Sequence, residues 1–118
     1  MSSVRLPGLC GMNRVVHLEL HTGELPHARA FYEDLLGWRA EQTRGYWSLG
    51  TGCGIVECET PAAAWLPYVA VRDVTSTTER AQVLGASVLL DPREGPHGWR
   101  SVLSTPAGGE IALWQPKR

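Results

Sequence analysis

Hydrophobic and polar positions alternate at the start of the patterned chain. Over residues 15–21, Val16, Leu18 and Leu20 take one side and His17, Glu19 and His21 the other. A period of two marks a half-buried strand. The period then changes: Leu25, Ala28, Phe31, Tyr32, Leu35 and Leu36 recur at helical spacing. Pro26 suits a first turn, Glu24 a helix N-terminus, and Gly37 a C-terminal stop. The apolar stripe of this helix should cover the Val16/Leu18/Leu20 side of the strand. Short strands are predicted at about 38–43, 46–49 and 53–59. Arg44-Gly45 and Gly50-Thr51-Gly52 supply the turns between them.

The same order then repeats. After a proline- and alanine-rich hinge at 60–66, alternation returns over 66–72. Val69 and Val71 should face a helix, and Leu66, Tyr68 and Ala70 should face away. The second helix is predicted over about 75–84, capped by Asp73 or Thr75 and stopped by Gly85. Strands at about 87–90, 99–104 and 110–114 follow, with loops at 91–98 and 105–109. The chain therefore reads βαβββ twice, an α+β fold with internal pseudo-symmetry. Residues 1–13 lack periodicity and read as a loose tail, in which Met12 offers an alternative start. Residues 14–118 read as one domain, with module one at about 14–60 and module two at about 66–116.

A chain of 118 residues with 43% hydrophobic content can bury one core. The formal net charge is −1, with no basic stripe, which excludes a dedicated nucleic-acid binder. No apolar run approaches a membrane span. The odd cysteine count (Cys10, Cys53, Cys58) does not suggest a disulfide framework; the thiols read as small hydrophobes in a reducing, cytoplasmic setting. Gly50-Thr51-Gly52-Cys53-Gly54 lies between two strand-like runs, so it reads as a hairpin rather than a phosphate loop.

Three segments together resemble the vicinal oxygen chelate superfamily, which includes glyoxalase I, bleomycin resistance proteins, extradiol dioxygenases and fosfomycin resistance proteins. They are His17-Leu18-Glu19-Leu20, Phe31-Tyr32-Glu33-Asp34-Leu35-Leu36-Gly37-Trp38, and Thr105-Pro106-Ala107-Gly108-Gly109-Glu110-Ile111-Ala112-Leu113-Trp114. The resemblance covers the chain from Arg14 onward. It implies two βαβββ modules forming a curved mixed eight-stranded sheet around a cavity, and a homodimer. In metal-dependent members four inward positions supply ligands. The first matches His17 and the second Glu57; the third falls at Leu66, or less well at Tyr68, and the fourth at Ala112. Only two of the four carry ligating groups.

One imidazole and one carboxylate hold a divalent metal weakly. His17 and Glu57 are therefore either a residual polar pair that orients a ligand or the core of a metal site. Glu19, His21, Glu59 and Glu110 share the expected inward parity and could complete the latter. If metal binds, the resemblance implies Lewis-acid chemistry on vicinal oxygens, with Glu57 moving a proton.

Five tryptophans are many for this length. Trp47, Trp99 and Trp114 are candidate cavity walls, with Tyr68 as a polar contact. The segment before β-like residues 99–104 brings His97 and Arg100 as candidate grips for an anionic or carbonyl-bearing ligand. Three functions stay open: a small-molecule binder for an aromatic or amphiphilic metabolite or antibiotic, with an incomplete metal site; a divalent-metal glyoxalase-type lyase or isomerase using His17 and Glu57; and a cofactor-independent enzyme with Glu57 as general base.

Overall fold

The computed structural model describes residues 12–43, 46–49 and 52–117. Most of the expected tail, Cys10, and the turn residues 44–45 and 50–51 lie outside them. The chain is α+β, with eight strands in mixed pairing and two helices: β1 (Val15–Thr22), α1 (Leu25–Leu36), β2 (Glu41–Thr43), β3 (Tyr46–Ser48), β4 (Cys53–Glu57), β5 (Ala64–Ala70), α2 (Val74–Val83), β6 (Ser87–Glu94), β7 (Gly98–Ser104) and β8 (Glu110–Pro116). This is the βαβββ order, twice. Two compact units result, one of His17–Pro67 and one of Met1–Val16 with Tyr68–Arg118. The second takes in the start of β1, because the Asn13 N–H donates to the Ala70 carbonyl and the Ala70 N–H donates to that of Arg14.

In the His17–Pro67 unit the strand order is β2-β3-β4-β1. β1 and β4 run parallel, pairing Leu18 with Cys53, Leu20 with Ile55 and Thr22 with Glu57. Leu20, Leu49 and Ile55 form the buried core, packed against Leu25, Ala28 and Tyr32 of α1 and against Trp38, Trp47 and Trp65. Of the apolar side of β1, only Leu20 is buried against α1, whereas the alternation predicts cover for all three; Val16 and Leu18 are 43% and 38% exposed. Gly37 ends α1 at φ 71°, and its N–H donates to the Glu33 carbonyl. That left-handed conformation is cheap for glycine and costly for a residue with a Cβ. At the other end Glu24 makes no side-chain cap. The Thr22 hydroxyl accepts from the Glu24 N–H instead, at 2.9 Å.

In the other unit the order is β5-β8-β7-β6. Val71, Val74, Leu103 and Leu113 are buried together, with Val69, Ala81, Val88 and Ile111 packed on them. Asp73 caps α2 by accepting from the Ser76 N–H at 3.0 Å. Gln115 of β8 accepts from the Val74 N–H at 2.8 Å, tying the helix start to the sheet. A second polar link is fully enclosed: the Thr78 and Ser101 hydroxyls lie 2.8 Å apart, and Thr78 donates to the Val74 carbonyl.

The loop expected over 91–98 is mostly strand. β6 continues to Glu94, with Arg93 opposite Arg100 and Glu94 opposite Trp99. Pro92 disguised this by removing an N–H, yet β6 ends the strand order and its register shifts between Leu90 and Arg93. An edge position with an irregularity tolerates proline. The Gly95 N–H then donates to the Gly98 carbonyl at 2.7 Å and closes the hairpin.

Candidate functional site

Alternation on β1 puts His17, Glu19 and His21 on the side away from α1. His21 Nε2 lies 2.8 Å from Glu19 Oε1, and His17 Nε2 lies 3.5 Å from Glu19 Oε2. Glu19 is therefore a carboxylate flanked by two imidazoles, its side chain 12% exposed. Such a group can hold and pass a proton. The sequence reading placed Glu19 and His21 as accessory groups; the structure makes Glu19 the centre of the cluster.

Glu57 is not part of it. In a parallel pair, residues in register share a face, and Glu57 is the partner of Thr22, in line with Leu20 and Ile55. That is the α1 side of the sheet. His17 points to the other side, so the expected shared face for His17 and Glu57 does not form. The misreading has a clear origin: Glu57 is exposed and polar, but it has the parity of Ile55, which is fully buried.

Trp47 is displaced for the same reason. It is the partner of Ile55 across β3 and β4, and it packs in the core on the α1 side. The Arg29 guanidinium of α1 sits 4.1 Å from the centre of its ring. Arg29 Nε also donates to Glu33 Oε2 at 3.2 Å, and the same oxygen accepts from the Ala40 N–H at 3.1 Å. These contacts, the Ala40 N–H first and Arg29 next, hold the Glu33 carboxyl below its ordinary value.

The donor set does not fit a resident metal. His17 and Glu57 point to opposite faces, Leu66 and Ala112 lack ligating groups, and among the described residues no group of three or more His, Cys, Asp or Glu side chains could hold an ion.

The Tyr68–Arg118 segment gathers more of the expected residues. β5 and β8 pair Tyr68 with Ala112 and Ala70 with Trp114, and β7 and β8 pair Arg100 with Trp114 and Val102 with Ala112. Tyr68, Arg100, Ala112 and Trp114 thus share the face opposite α2. Arg100 Nη1 donates to the Tyr68 hydroxyl at 2.8 Å. Tyr68 is 6% exposed and Ala112 fully buried, while Arg100 and Trp114 are half-buried. Leu66, two residues before Tyr68 on β5, is buried as well.

Gly98 shapes this face. A Cβ there would lie 3.0 Å from Trp114 Cη2 and 2.2 Å from the Gln115 carbonyl oxygen. The indole of Trp114 therefore lies over the glycine, beside Arg100.

Trp99 and His97 do not join them. Trp99 pairs with Gln115, on the α2 side, since consecutive residues of a strand alternate. His97 is exposed before β7, and its carbonyl accepts from the Lys117 N–H. The residue that sequence reasoning missed is Arg93, brought opposite Arg100 by the extension of β6.

No protein-family model matches the chain. The chain is 26% identical over 117 residues to CFP32, a protein named as a glyoxylase, from Mycobacterium tuberculosis and Mycobacterium bovis; the match covers 86% of this chain and 45% of the relative. The chain thus spans less than half the length of the curated relatives it matches. Among solved structures, methylmalonyl-CoA epimerase from Mycobacterium tuberculosis superposes with a TM-score of 0.59 at 15% identity, over 92% of this chain and 91% of that one. Homoprotocatechuate 2,3-dioxygenase from Brevibacterium fuscum superposes at 0.65 and 21% identity, over 88% of this chain and 36% of that one. With both, the chain shares the fold of the vicinal oxygen chelate superfamily, which its three sequence segments resemble.

Proposed function

We propose that this chain is a small-molecule-binding protein of the vicinal oxygen chelate type with an incomplete metal site, taking an aromatic or amphiphilic metabolite or antibiotic. One observation carries the reading. Tyr68, Arg100, Ala112 and Trp114 share a face that sets aromatic and apolar side chains beside an organised polar contact, the 2.8 Å Arg100–Tyr68 bond. Few, fixed polar groups in an apolar wall are what orient a small organic ligand.

The test is titration with Nile red, a neutral, aromatic, amphiphilic dye, read by dye emission and tryptophan quenching. Saturable binding that weakens about tenfold or more in Trp114→Ala supports the reading; an indole lost from a ligand wall costs on that order. Absence of saturable binding, or binding that Trp114→Ala leaves unchanged, overturns it.

The glyoxylase name of CFP32 favours a second reading, a divalent-metal lyase or isomerase. It requires ligands other than the His17 and Glu57 pair, because the β1/β4 register points those two apart. Near-stoichiometric metal in protein purified without chelator, abolished by His17→Ala, would replace the first reading with this one.

We also propose a homodimer. Phe31, Leu35 and Leu36 of α1 are 56%, 63% and 49% exposed, and α1 has no buried residue of its own. A second copy covering that helix would remove this apolar surface from water. The thiols of Cys53 and Cys58 are free, which suits a reducing cytoplasm. No helix of the described residues is long and apolar enough to cross a membrane.

A further inference from the structure

We infer that Arg93 and Arg100 form an organic-anion subsite, and that the ligand of this face is an aryl or acyl carboxylate whose body lies on Trp114. The inference rests on the small-molecule reading above and names its ligand class.

Arg93 and Arg100 are direct partners across the antiparallel β6/β7 ladder. Their side chains therefore leave the sheet on the same face, with Cβ atoms about 5 Å apart. Two like charges so placed repel each other, and a sheet keeps such a pair at a cost unless an anion lies between them. Among the described residues no carboxylate does. None of the ion pairs involves either arginine. The nearest acid in sequence, Glu94, is the partner of Trp99, so it points to the other face, and there it meets Lys117 Nζ at 3.4 Å.

The two guanidinium groups are also unequal in a useful way. Arg100 is half-buried and fixed through one nitrogen by the Tyr68 hydroxyl, which leaves its other N–H donors for a ligand. Arg93 is exposed and can close over an incoming anion. Guanidinium matches a carboxylate by two parallel N–H···O bonds. Trp114, the cross-strand partner of Arg100, lies over Gly98 and adds a flat apolar surface beside that charge. A carboxylate alone would use the arginines and leave the indole bare. A neutral aromatic would do the reverse. A carboxylate attached to an aryl or acyl body uses both.

The experiment is an NMR titration of the full chain, following the Trp114 indole N–H, with benzoate, with its neutral isostere benzyl alcohol, and with inorganic phosphate. Trp114→Phe assigns the signal. Benzoate should bind at least about tenfold more tightly than benzyl alcohol, the scale of a charge-assisted bidentate contact. Arg93→Gln and Arg100→Gln should each remove most of that gap. Arg93 is exposed, so Arg93→Gln keeps the fold and makes the result readable even if Arg100→Gln unfolds.

Equal affinity for acid and alcohol overturns the anion subsite while leaving the small-molecule reading intact, since both compounds then bind. Inorganic phosphate competing as strongly as benzoate, with benzyl alcohol silent, overturns the aryl carboxylate in favour of a simple anion patch. Failure of both benzoate and benzyl alcohol to bind overturns the subsite; if Nile red still binds, the broader reading survives alone.

Discussion

Gly98→Ala tests the link between the fold and the aromatic wall. The glycine sits at the start of β7, opposite Pro116. An added methyl carbon would meet the Gln115 carbonyl oxygen at 2.2 Å, Pro116 Cα at 2.9 Å and Trp114 Cη2 at 3.0 Å. Two of the three neighbours are backbone atoms of β8 and cannot swing aside as a side chain tip can. Overpacking costs about 1–3 kcal/mol where neighbours can shift, so this site belongs near the top of that range, about 3 kcal/mol. For a chain of this length that is a fall in Tm of roughly 10 °C, at a few degrees per kcal/mol. Gly37→Ala separates the steric term from conformational strain. At Gly37 φ is 71° and a Cβ would meet nothing within 4 Å, so only the left-handed penalty applies, about 1 kcal/mol. The assay is thermal unfolding of both variants, with the Trp114 indole signal recorded at low temperature. Gly98→Ala should melt well below Gly37→Ala and should displace the indole signal. A Gly98→Ala protein that melts with the wild type, or only as low as Gly37→Ala, refutes the reasoning.

Two further outcomes follow from the polar contacts. Thr78 has a single hydroxyl proton, which goes to the Val74 carbonyl, so Ser101 must be the donor in the 2.8 Å Ser101–Thr78 bond. Ser101→Ala should cost about 1 kcal/mol and Thr78→Val about 2 kcal/mol, because the latter leaves a buried donor without a partner. The double variant should cost less than the sum by about 1 kcal/mol in urea unfolding, and strict additivity would sink the assignment. Glu33 sets a pH dependence. Its folded value is depressed by the Ala40 N–H and then by Arg29, so its contribution is complete above the ordinary glutamate value and is lost as pH falls through the lower folded one. The Ala40 amide shift should titrate in that acidic window and become flat in Glu33→Gln; an Ala40 signal that ignores acidification would refute the contact.

Legibility from sequence depended on how long a pattern runs and how many neighbours fix it. β1 alternates over eight residues, so its two faces were readable, and both helices carried their own start and stop signals. β3 has three residues and β4 five, too few for alternation to choose a face. Cys53, Ile55 and Glu57 form one set and Gly54 and Val56 the other, and neither is plainly polar. Only pairing with Leu20 of β1 decides that Ile55, and hence Glu57 and Trp47, lies on the α1 side. β7 misled in the opposite direction. Ser101 looks like a surface residue, yet it is fully buried because Thr78 of α2 supplies its partner. Once Ser101 is inside, Trp99 must share its face and Arg100 must oppose it. Arg93 was hidden by Pro92, which reads as a strand breaker away from the edge of a sheet and as tolerable on it.

The repeat in the sequence carries architecture, and the chemistry departs from it strand by strand. β1 and β5 are equivalent openings of the two βαβββ units, and each turns one face away from its helix. On β1 that face bears His17, Glu19 and His21, three groups able to exchange protons, with the carboxylate between the imidazoles. On β5 it bears Leu66, Tyr68 and Ala70, of which Tyr68 presents a hydroxyl to Arg100. The chain places a carboxylate between two imidazoles on one repeat, and Tyr68, Arg100 and Trp114 together on the other. Replacing Glu19 by Gln distinguishes their roles. If the two are independent, Glu19→Gln leaves the affinity for benzoate unchanged while Arg93→Gln lowers it, and an equal loss in both variants would show that the β1 cluster takes part in binding the anion.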